Sequence, residues 1–172
     1  MNLRRVFSAL LIAACAAAPA ALAAPAAPVH PQGLPVTITL PNGWTAIGAT
    51  SQARLTAIGP NGGHLAVTTG GSFPMSLPFT SFVDTETAAA TKAYRAEDPH
   101  AVVTGRKVTL PSGPAVQITA RVSHGGAPVA IDLYSLLHNG VTYHFTYYTA
   151  ASQLRAAVRD FASSARSIRW AS

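Results

Sequence analysis

Six histidines are the residues of this 172-residue chain that most invite a metal or acid–base site. Neutral imidazole is a common metal ligand. None of the six stands in a His-x-His or His-Glu-x-x-His arrangement, the spacings that bring two rings onto one ion. We therefore predict no metal site and no cofactor, although a site built from His64, His124 and an acid stays open. The six are His30, His64, His100, His124, His138 and His144.

Asp132, Ser135 and His138 supply the residue types of a serine hydrolase, in which a base activates a hydroxyl nucleophile. The local pattern predicts a strand, however, and on a strand Asp132 and His138 point to one face while Ser135 points to the other. The chain also lacks a Gly-x-Ser-x-Gly nucleophile elbow. With six acidic residues in all, paired-carboxylate chemistry has little to build on. We predict no catalytic residues, and a hydrolase is the less favoured alternative.

The N-terminal segment, residues 1–23, has the order of a bacterial export signal. Two early arginines precede an apolar run over residues 6–18, and an Ala-x-Ala cleavage signal ends at Ala23. The run is too short to cross a bilayer. We expect a signal peptide over 1–23, a mature protein that starts at Ala24, and a periplasmic or secreted location.

The same segment supports an alternative, because Ile12 to Cys15 resembles a bacterial lipobox. In that case Cys15 would be acylated and the protein would be a membrane-anchored lipoprotein, with no other attachment to the membrane. Cys15 is the only cysteine. The mature domain therefore has no disulfide and no thiolate nucleophile if cleavage occurs at Ala23.

Composition limits the partners and the number of domains. The net charge is +6, and it falls to about +4 without the two arginines of the signal. No cluster of basic residues suits nucleic acid, so we exclude that partner class. Residues 24–33 form a tether rich in proline and alanine, and residues 34–172 are long enough for a single domain with its own core.

Alternating and helical patterns divide the domain into strands and two helices. A capping box at Ser81 and Asp84 predicts the start of the first helix. The apolar stripe of the second includes Val158 and Phe161. Strands are predicted over 36–40, 54–58, 64–69, 102–110, 115–123, 129–138 and 141–148, and helices over 82–96 and from Ser152 onward.

The dipeptide Asn139-Gly140 fixes a register, because a type I′ hairpin turn needs positive φ at both central residues. Ser135 should then face His144, and Asp132 should face Tyr147. Both faces of this hairpin are substantially apolar, which suits a sheet covered on both sides. The predicted fold is α+β, a mainly antiparallel sheet of six to seven strands covered by two helices in an α/β/α sandwich.

Three short motifs, in this order, resemble the PsbP-like family. They are Leu40-Pro41-Asn42-Gly43-Trp44, Leu110-Pro111-Ser112-Gly113 before a long meander, and an ending with Tyr143 to Thr149, a helix and Ser167-Ile168-Arg169-Trp170. The likeness covers roughly residues 34–170. Relatives include the extrinsic subunit of photosystem II and small periplasmic proteins and lipoproteins. The resemblance implies a non-enzymatic accessory or binding role, with no catalytic residues to carry over.

Two surfaces are candidates for a partner. Arg155, Arg159, Arg166 and Arg169 fall within an arc of about 80° on the last helix, where they could meet acidic lipid headgroups or an acidic protein. The other candidate is the apolar loop of residues 71–79, which contains Phe73, Met75 and Phe79.

The function predicted on this basis is that of a non-catalytic accessory or binding protein of the bacterial cell envelope. The expected partner is an unknown envelope protein or acidic lipid headgroups. The alternative is a carrier of a small apolar ligand or lipid held between sheet and helix.

Overall fold

Strands and two helices alternate along the part of the chain that the structure, a computed structural model, describes, residues 28–171. The elements are β1 (Pro28–Val29), β2 (Val36–Thr39), β3 (Thr45–Gly48), β4 (Leu55–Ile58), β5 (His64–Ser72), α1 (Phe79–Arg95), β6 (Val102–Leu110), β7 (Gly113–His124), β8 (Ala127–His138), β9 (Val141–Ala150), α2 (Leu154–Arg166) and β10 (Arg169–Trp170). A seven-stranded antiparallel sheet, with neighbours in the order β3-β4-β5-β9-β8-β7-β6, forms the centre of the molecule. A small three-stranded sheet, β1-β2-β10, and the two helices complete it.

The turn between β8 and β9 has the backbone that its sequence predicts. Asn139 has φ 50° and Gly140 has φ 75°, as a type I′ turn requires. The predicted register is confirmed, because Ser135 lies opposite His144 and Asp132 opposite Tyr147. Side chains of these long strands therefore alternate between the two faces of the sheet.

Each face of the sheet has its own core, which confirms the predicted sandwich. On one side, α1 packs Phe82 and Tyr94 against apolar residues that include Ile118. On the other side, Phe161 of α2 packs together with Trp44 and the small sheet. The Phe161 ring contacts the rings of Trp44 and Tyr147, with centroids 5.9 Å and 5.0 Å away.

The N-terminal part of the described chain corrects the predicted domain boundary at Leu34. Pro28 and Val29 form β1, which pairs with β2, and Val29 packs against the core. The Gln32 amide also donates to the carbonyl of Arg54. Part of the predicted tether therefore belongs to the folded domain. Cys15, Ala23 and Ala24, on which the export and acylation predictions rest, lie outside the described residues.

Both helices differ from their predicted limits. Helix α1 begins at Phe79 after Pro78, and no side chain caps its start, so the capping box at Ser81 and Asp84 is wrong. Pro78 fixes its own φ, and its carbonyl accepts a hydrogen bond from the Ser81 amide at 2.9 Å. Strand β3 was not predicted, because its sequence, Thr-Ala-Ile-Gly, has no apolar alternation. In the structure three of its four residues are exposed.

Helix α2 ends earlier than its periodicity predicts, and one residue of its predicted buried stripe is exposed. It ends at Arg166, so Arg169 lies in β10 and not on the helix. Val158, assigned to the buried stripe, is 46% exposed. At 100° per residue Val158 lies about 160° around α2 from Asp160, which lines the pocket beside Trp44, so Val158 is on the opposite flank of the helix.

Candidate partner-binding surface

The loop between β5 and α1, residues 73–78, presents two large apolar side chains to solvent. Met75 is 66% exposed and Leu77 is 49% exposed. Five large hydrophobic side chains in the described part of the chain are exposed to this degree, and two of them stand on this loop. We call residues 73–78 the presenting loop.

Aromatic contacts anchor both ends of the presenting loop. The ring of Phe73 lies 5.1 Å from that of Phe82, and Phe79 lies 5.5 Å from the same ring. Phe82 is fully buried. Phe73 and Phe79, expected among the partner-contacting residues, are therefore half-buried anchors, because Phe82 draws both rings onto the core. Of the three predicted residues, Met75 alone stands out into solvent.

Backbone hydrogen bonds and prolines hold the loop between these anchors. The Phe73 amide donates to the carbonyl of Gly140 at 2.8 Å, and the Leu77 amide donates to Pro74 at 3.2 Å. Pro74 and Pro78 fix their own φ angles. A loop held in this way loses little conformational entropy when Met75 and Leu77 become buried by a partner.

A cation stands at the edge of the loop. The Lys107 ammonium lies 5.4 Å from the centroid of the Phe79 ring, within the range of a cation–π contact. Lys107 therefore places a positive charge beside the loop that carries the exposed side chains of Met75 and Leu77.

The predicted arginine surface is present on α2 with three of its four members. Arg155, Arg159 and Arg166 are exposed on the helix. Arg169 instead donates from Nη1 to the carbonyls of Arg166 and Ile168, at 2.7 Å and 2.8 Å. It therefore satisfies carbonyls at the end of α2, where intrahelical donors run out.

A polar cluster lies between α1 and the sheet. Ser135 Oγ donates to Glu86 Oε2 at 2.7 Å, and His144 Nε2 lies 2.8 Å from the same oxygen. Burial raises the pKa of Glu86, but the hydrogen bond and charge of His144 and the hydrogen bond from Ser135 outweigh it, so the pKa is lowered.

This cluster does not have the order of a catalytic triad. Such a triad needs a histidine between serine and carboxylate. Here the carboxylate of Glu86 stands in the middle, and the side chain of Ser135 is fully buried. The predicted separation of Ser135 from Asp132 and His138 is confirmed by the register. The cluster joins a helix to the sheet.

A second polar network lies on the α2 side. Gln117 accepts two hydrogen bonds from Arg106 and donates to Asp132 Oδ1 at 2.9 Å, and the Tyr134 hydroxyl donates to Asp132 Oδ2 at 3.1 Å. Burial raises the pKa of Asp132, although the donors and the Arg106 charge oppose it. Burial and the Asp132 charge also raise the pKa of Tyr134, against the charges of Arg106 and Arg166.

The histidines are dispersed. His64 lies on β5 and His124 on β7, with β9 and β8 between them, so the two do not share a site. His124 Nδ1 lies 3.6 Å from Glu97, and the rings of His64 and Tyr148 stack. Across residues 28–171, no group of three or more His, Cys, Asp and Glu side chains is arranged to hold a metal ion.

Similarity to known proteins lies in the fold. No protein-family model matches the sequence, and no curated protein matches it significantly. The solution structure of cyanobacterial PsbP from Synechocystis sp. PCC 6803 aligns with a TM-score of 0.63 at 12% identity, over 90% of this chain and 97% of that one. LpqN of Mycobacterium tuberculosis aligns with a TM-score of 0.55 at 11% identity, over 87% of each chain. The chain has the PsbP-like fold.

Glu86, the centre of the polar cluster between α1 and the sheet, was not singled out from the sequence. Phe82, Glu86, Ala90 and Tyr94 recur every four residues, so all four lie on one stripe of α1. The other three are buried. A carboxylate within an apolar stripe is the signal that could have revealed the cluster, because such a charge needs a buried partner.

None of the helices within 28–171 is long and apolar enough to cross a membrane.

Proposed function

We propose that this protein is a non-catalytic binding module of the bacterial cell envelope that docks a partner protein through the presenting loop. The observation that carries the proposal is the exposure of Met75 and Leu77 on a loop whose backbone is held in place. Protein interfaces bury apolar side chains at their centre, and a pre-organised segment lowers the entropy cost of burying them.

The compartment follows from the sequence and is supported by the fold. Residues 1–23 have the order of an export signal, with Cys15 as the alternative site of acylation. LpqN, which has this fold, is described as involved in cell envelope biogenesis. A periplasmic or secreted domain, or a lipoprotein held at the membrane, would each present the loop to other envelope proteins.

The geometry weighs against the carrier alternative, because the larger space beside α1, about 620 Å³ and lined in part by Asp84, Lys92 and Arg95, is an open charged groove and not an enclosed apolar cavity. A carrier needs space between sheet and helix, and on the α2 side Trp44, Tyr147 and Phe161 fill that space in mutual ring contact. The pocket beside Trp44 measures about 50 Å³, enough for a few water molecules.

The test is affinity isolation of the full tagged chain from the native envelope, with two matched variants. Met75→Asp places a charge at the proposed contact, and Ile47→Asp does so at a side chain that is 60% exposed on β3. The proposal expects one envelope protein to be recovered with the unmodified chain and with Ile47→Asp. Its recovery should fall about tenfold or more with Met75→Asp, as for a central contact worth over 1.4 kcal/mol. Equal recovery with both variants, or no specific protein with the unmodified chain, would overturn the proposal.

A further inference from the structure

Charge is distributed unevenly between the two sides of the central sheet. We call the side that α1 covers the α1 layer, and the side that α2 and the small sheet cover the α2 layer. Four acidic residues, Asp84, Glu86, Glu97 and Asp98, lie on α1 or directly after it. Of the two acids that remain among residues 28–171, Asp132 is 3% exposed. Asp160 lines the small pocket with Trp44 on one flank of α2. The rest of the α2 layer is therefore free of exposed carboxylates within the described chain.

Five arginines lie in two rows on the α2 layer, one row on the helix and one on the sheet. The first row is Arg155, Arg159 and Arg166 on α2, which extends over about 16 Å at 1.5 Å per residue. The second is Arg106 on β6 and Arg121 on β7, about 13 Å apart along the strands. All five are exposed. We call them the arginine face.

Strand register shows that both sheet arginines face the α2 side. Arg106 pairs with Gln117, whose side chain joins Asp132 and Tyr134 on that side. Arg121 follows Gln117 by four residues without a bulge, so it points the same way. Thr104 and Thr119, which share this face, are exposed, so α2 leaves this part of the sheet uncovered.

The helix arginines point outward from α2, on the same side of the central sheet as Arg106 and Arg121. Asp160 marks the flank of α2 that faces Trp44. At 100° per residue, Arg155, Arg159 and Arg166 lie within about 40° of one another and about 120–160° from the buried Phe161, on the outer face of the helix. The charges of Arg106 and Arg166 both act on the Tyr134 hydroxyl, so one arginine of each row approaches the same buried group.

Apolar side chains stand among these cations. Val102, which pairs with Arg121, is 64% exposed, and Val158 is 46% exposed. A surface that combines cations with isolated apolar groups suits the headgroup boundary of a membrane, where phosphates meet the upper acyl chains. An acidic protein surface would not require the apolar groups to be exposed.

The start of the described chain lies in the same layer. Strand β1 begins at Pro28 and belongs to the small sheet that packs with α2. Pro28 lies thirteen positions after Cys15, a reach of at most about 45 Å when fully extended. An acyl chain on Cys15 would therefore hold the domain near the membrane, and an acyl chain combined with basic residues makes a stable anchor.

We propose that the arginine face binds the headgroups of anionic phospholipids and turns the α2 layer toward the membrane. In this orientation the four acids around α1 point away from the negative surface. The proposal does not depend on the presenting loop, so either one can fail without the other.

The test is vesicle co-sedimentation of the mature chain that starts at Ala24, which carries neither the apolar signal segment nor an acyl anchor on Cys15. Vesicles of phosphatidylcholine alone are compared with vesicles that also contain phosphatidylglycerol. Arg121→Glu with Arg159→Glu changes the arginine face, and Lys92→Glu with Arg95→Glu makes the same change of charge on α1. Thermal unfolding checks that both double variants are folded.

The proposal predicts binding to the anionic vesicles and little to the neutral ones, weakening as salt rises. Loss of two arginines should reduce the partition coefficient about 25-fold, at about fivefold for each. The α1 double should reduce it far less. Equal binding to both compositions, no binding to either, or equal losses in the two doubles would overturn the proposal.

Discussion

Glu86 and His144 meet across the α1–sheet boundary, with 2.8 Å between Glu86 Oε2 and His144 Nε2 and 58 positions between them in sequence. Both side chains are largely buried, at 14% and 12% exposure. Ser135 bonds to the same oxygen. The contact ties the middle of α1 to two adjacent strands, and it makes the stability of the helix layer depend on the charge of one carboxylate.

Substitution of Glu86 by Gln should flatten the loss of stability in acid. The folded-state pKa of Glu86 lies below its ordinary value of 4.5. Its contribution is therefore present above pH 4.5 and is lost as the pH falls through the lowered pKa. We expect Glu86→Gln to reduce the free energy of unfolding by about 1–3 kcal/mol at neutral pH. Urea unfolding at neutral and acid pH measures the difference.

Asp84→Asn is the control for that substitution, since Asp84 is an exposed carboxylate on the same helix. It should retain the acid dependence of the unmodified chain. If Glu86→Gln also retains it, the ion pair does not contribute to stability as described.

Substitution of Gly105 by Ala should destabilise the protein, because α1 packs directly on its Cα. A Cβ there would overlap the Thr87 hydroxyl. Overpacking of this kind costs about 1–3 kcal/mol. Gly71→Ala, on β5, is the matched control, since a Cβ at Gly71 meets nothing within 4 Å. Thermal melts should separate the two, and equal melting temperatures would mean that α1 sits further from β6.

Loss of the Tyr134 hydroxyl should matter more at neutral pH than in acid. This hydroxyl bonds to Asp132 and opposes the rise in its pKa, so Tyr134→Phe raises that pKa further. The cost then applies where Asp132 is ionised and fades as the pH falls below its folded pKa. We expect a loss of about 2 kcal/mol at neutral pH, measured by urea unfolding. A loss of the same size at both pH values would contradict the assignment.

Much of the sheet could be predicted because its signals are local. The Asn139-Gly140 turn requires positive φ at both residues, and this requirement fixed the register of β8 and β9. The same register separated Ser135 from Asp132 and thereby excluded a local triad. Long alternating strands on either side completed the meander.

The remaining features depend on contacts between distant segments. Helical periodicity continues past Arg166 to Arg169, but the pairing of Trp170 with Val36 ends the helix and forms β10. Phe73 and Phe79 gave no local sign that Phe82 would bury them. The arginine face needed the register of β6 and β7 to bring Arg106 and Arg121 to the side of α2.

Substitutions at and beneath the presenting loop should affect stability very differently. The ring beneath the loop stabilises the domain, whereas Met75 is exposed. Phe82→Ala removes the ring on which Phe73 and Phe79 pack, and should cost about 3–5 kcal/mol. Met75→Asp should change the free energy of unfolding by less than about 0.5 kcal/mol, because its side chain is exposed. Denaturant unfolding of the two variants measures both values. A large loss for Met75→Asp would mean that Met75 belongs to the core.

Photo-crosslinking in the native envelope tests the central claim most directly. A photoreactive residue is placed at position 75 on the presenting loop or at position 47 on β3, both highly exposed in the unmodified chain. The account predicts an adduct with one envelope protein from position 75, none from position 47, and loss of the adduct when Leu77→Asp is added. Adducts of equal yield from both positions, or an adduct at position 75 that survives Leu77→Asp, would contradict docking through this loop.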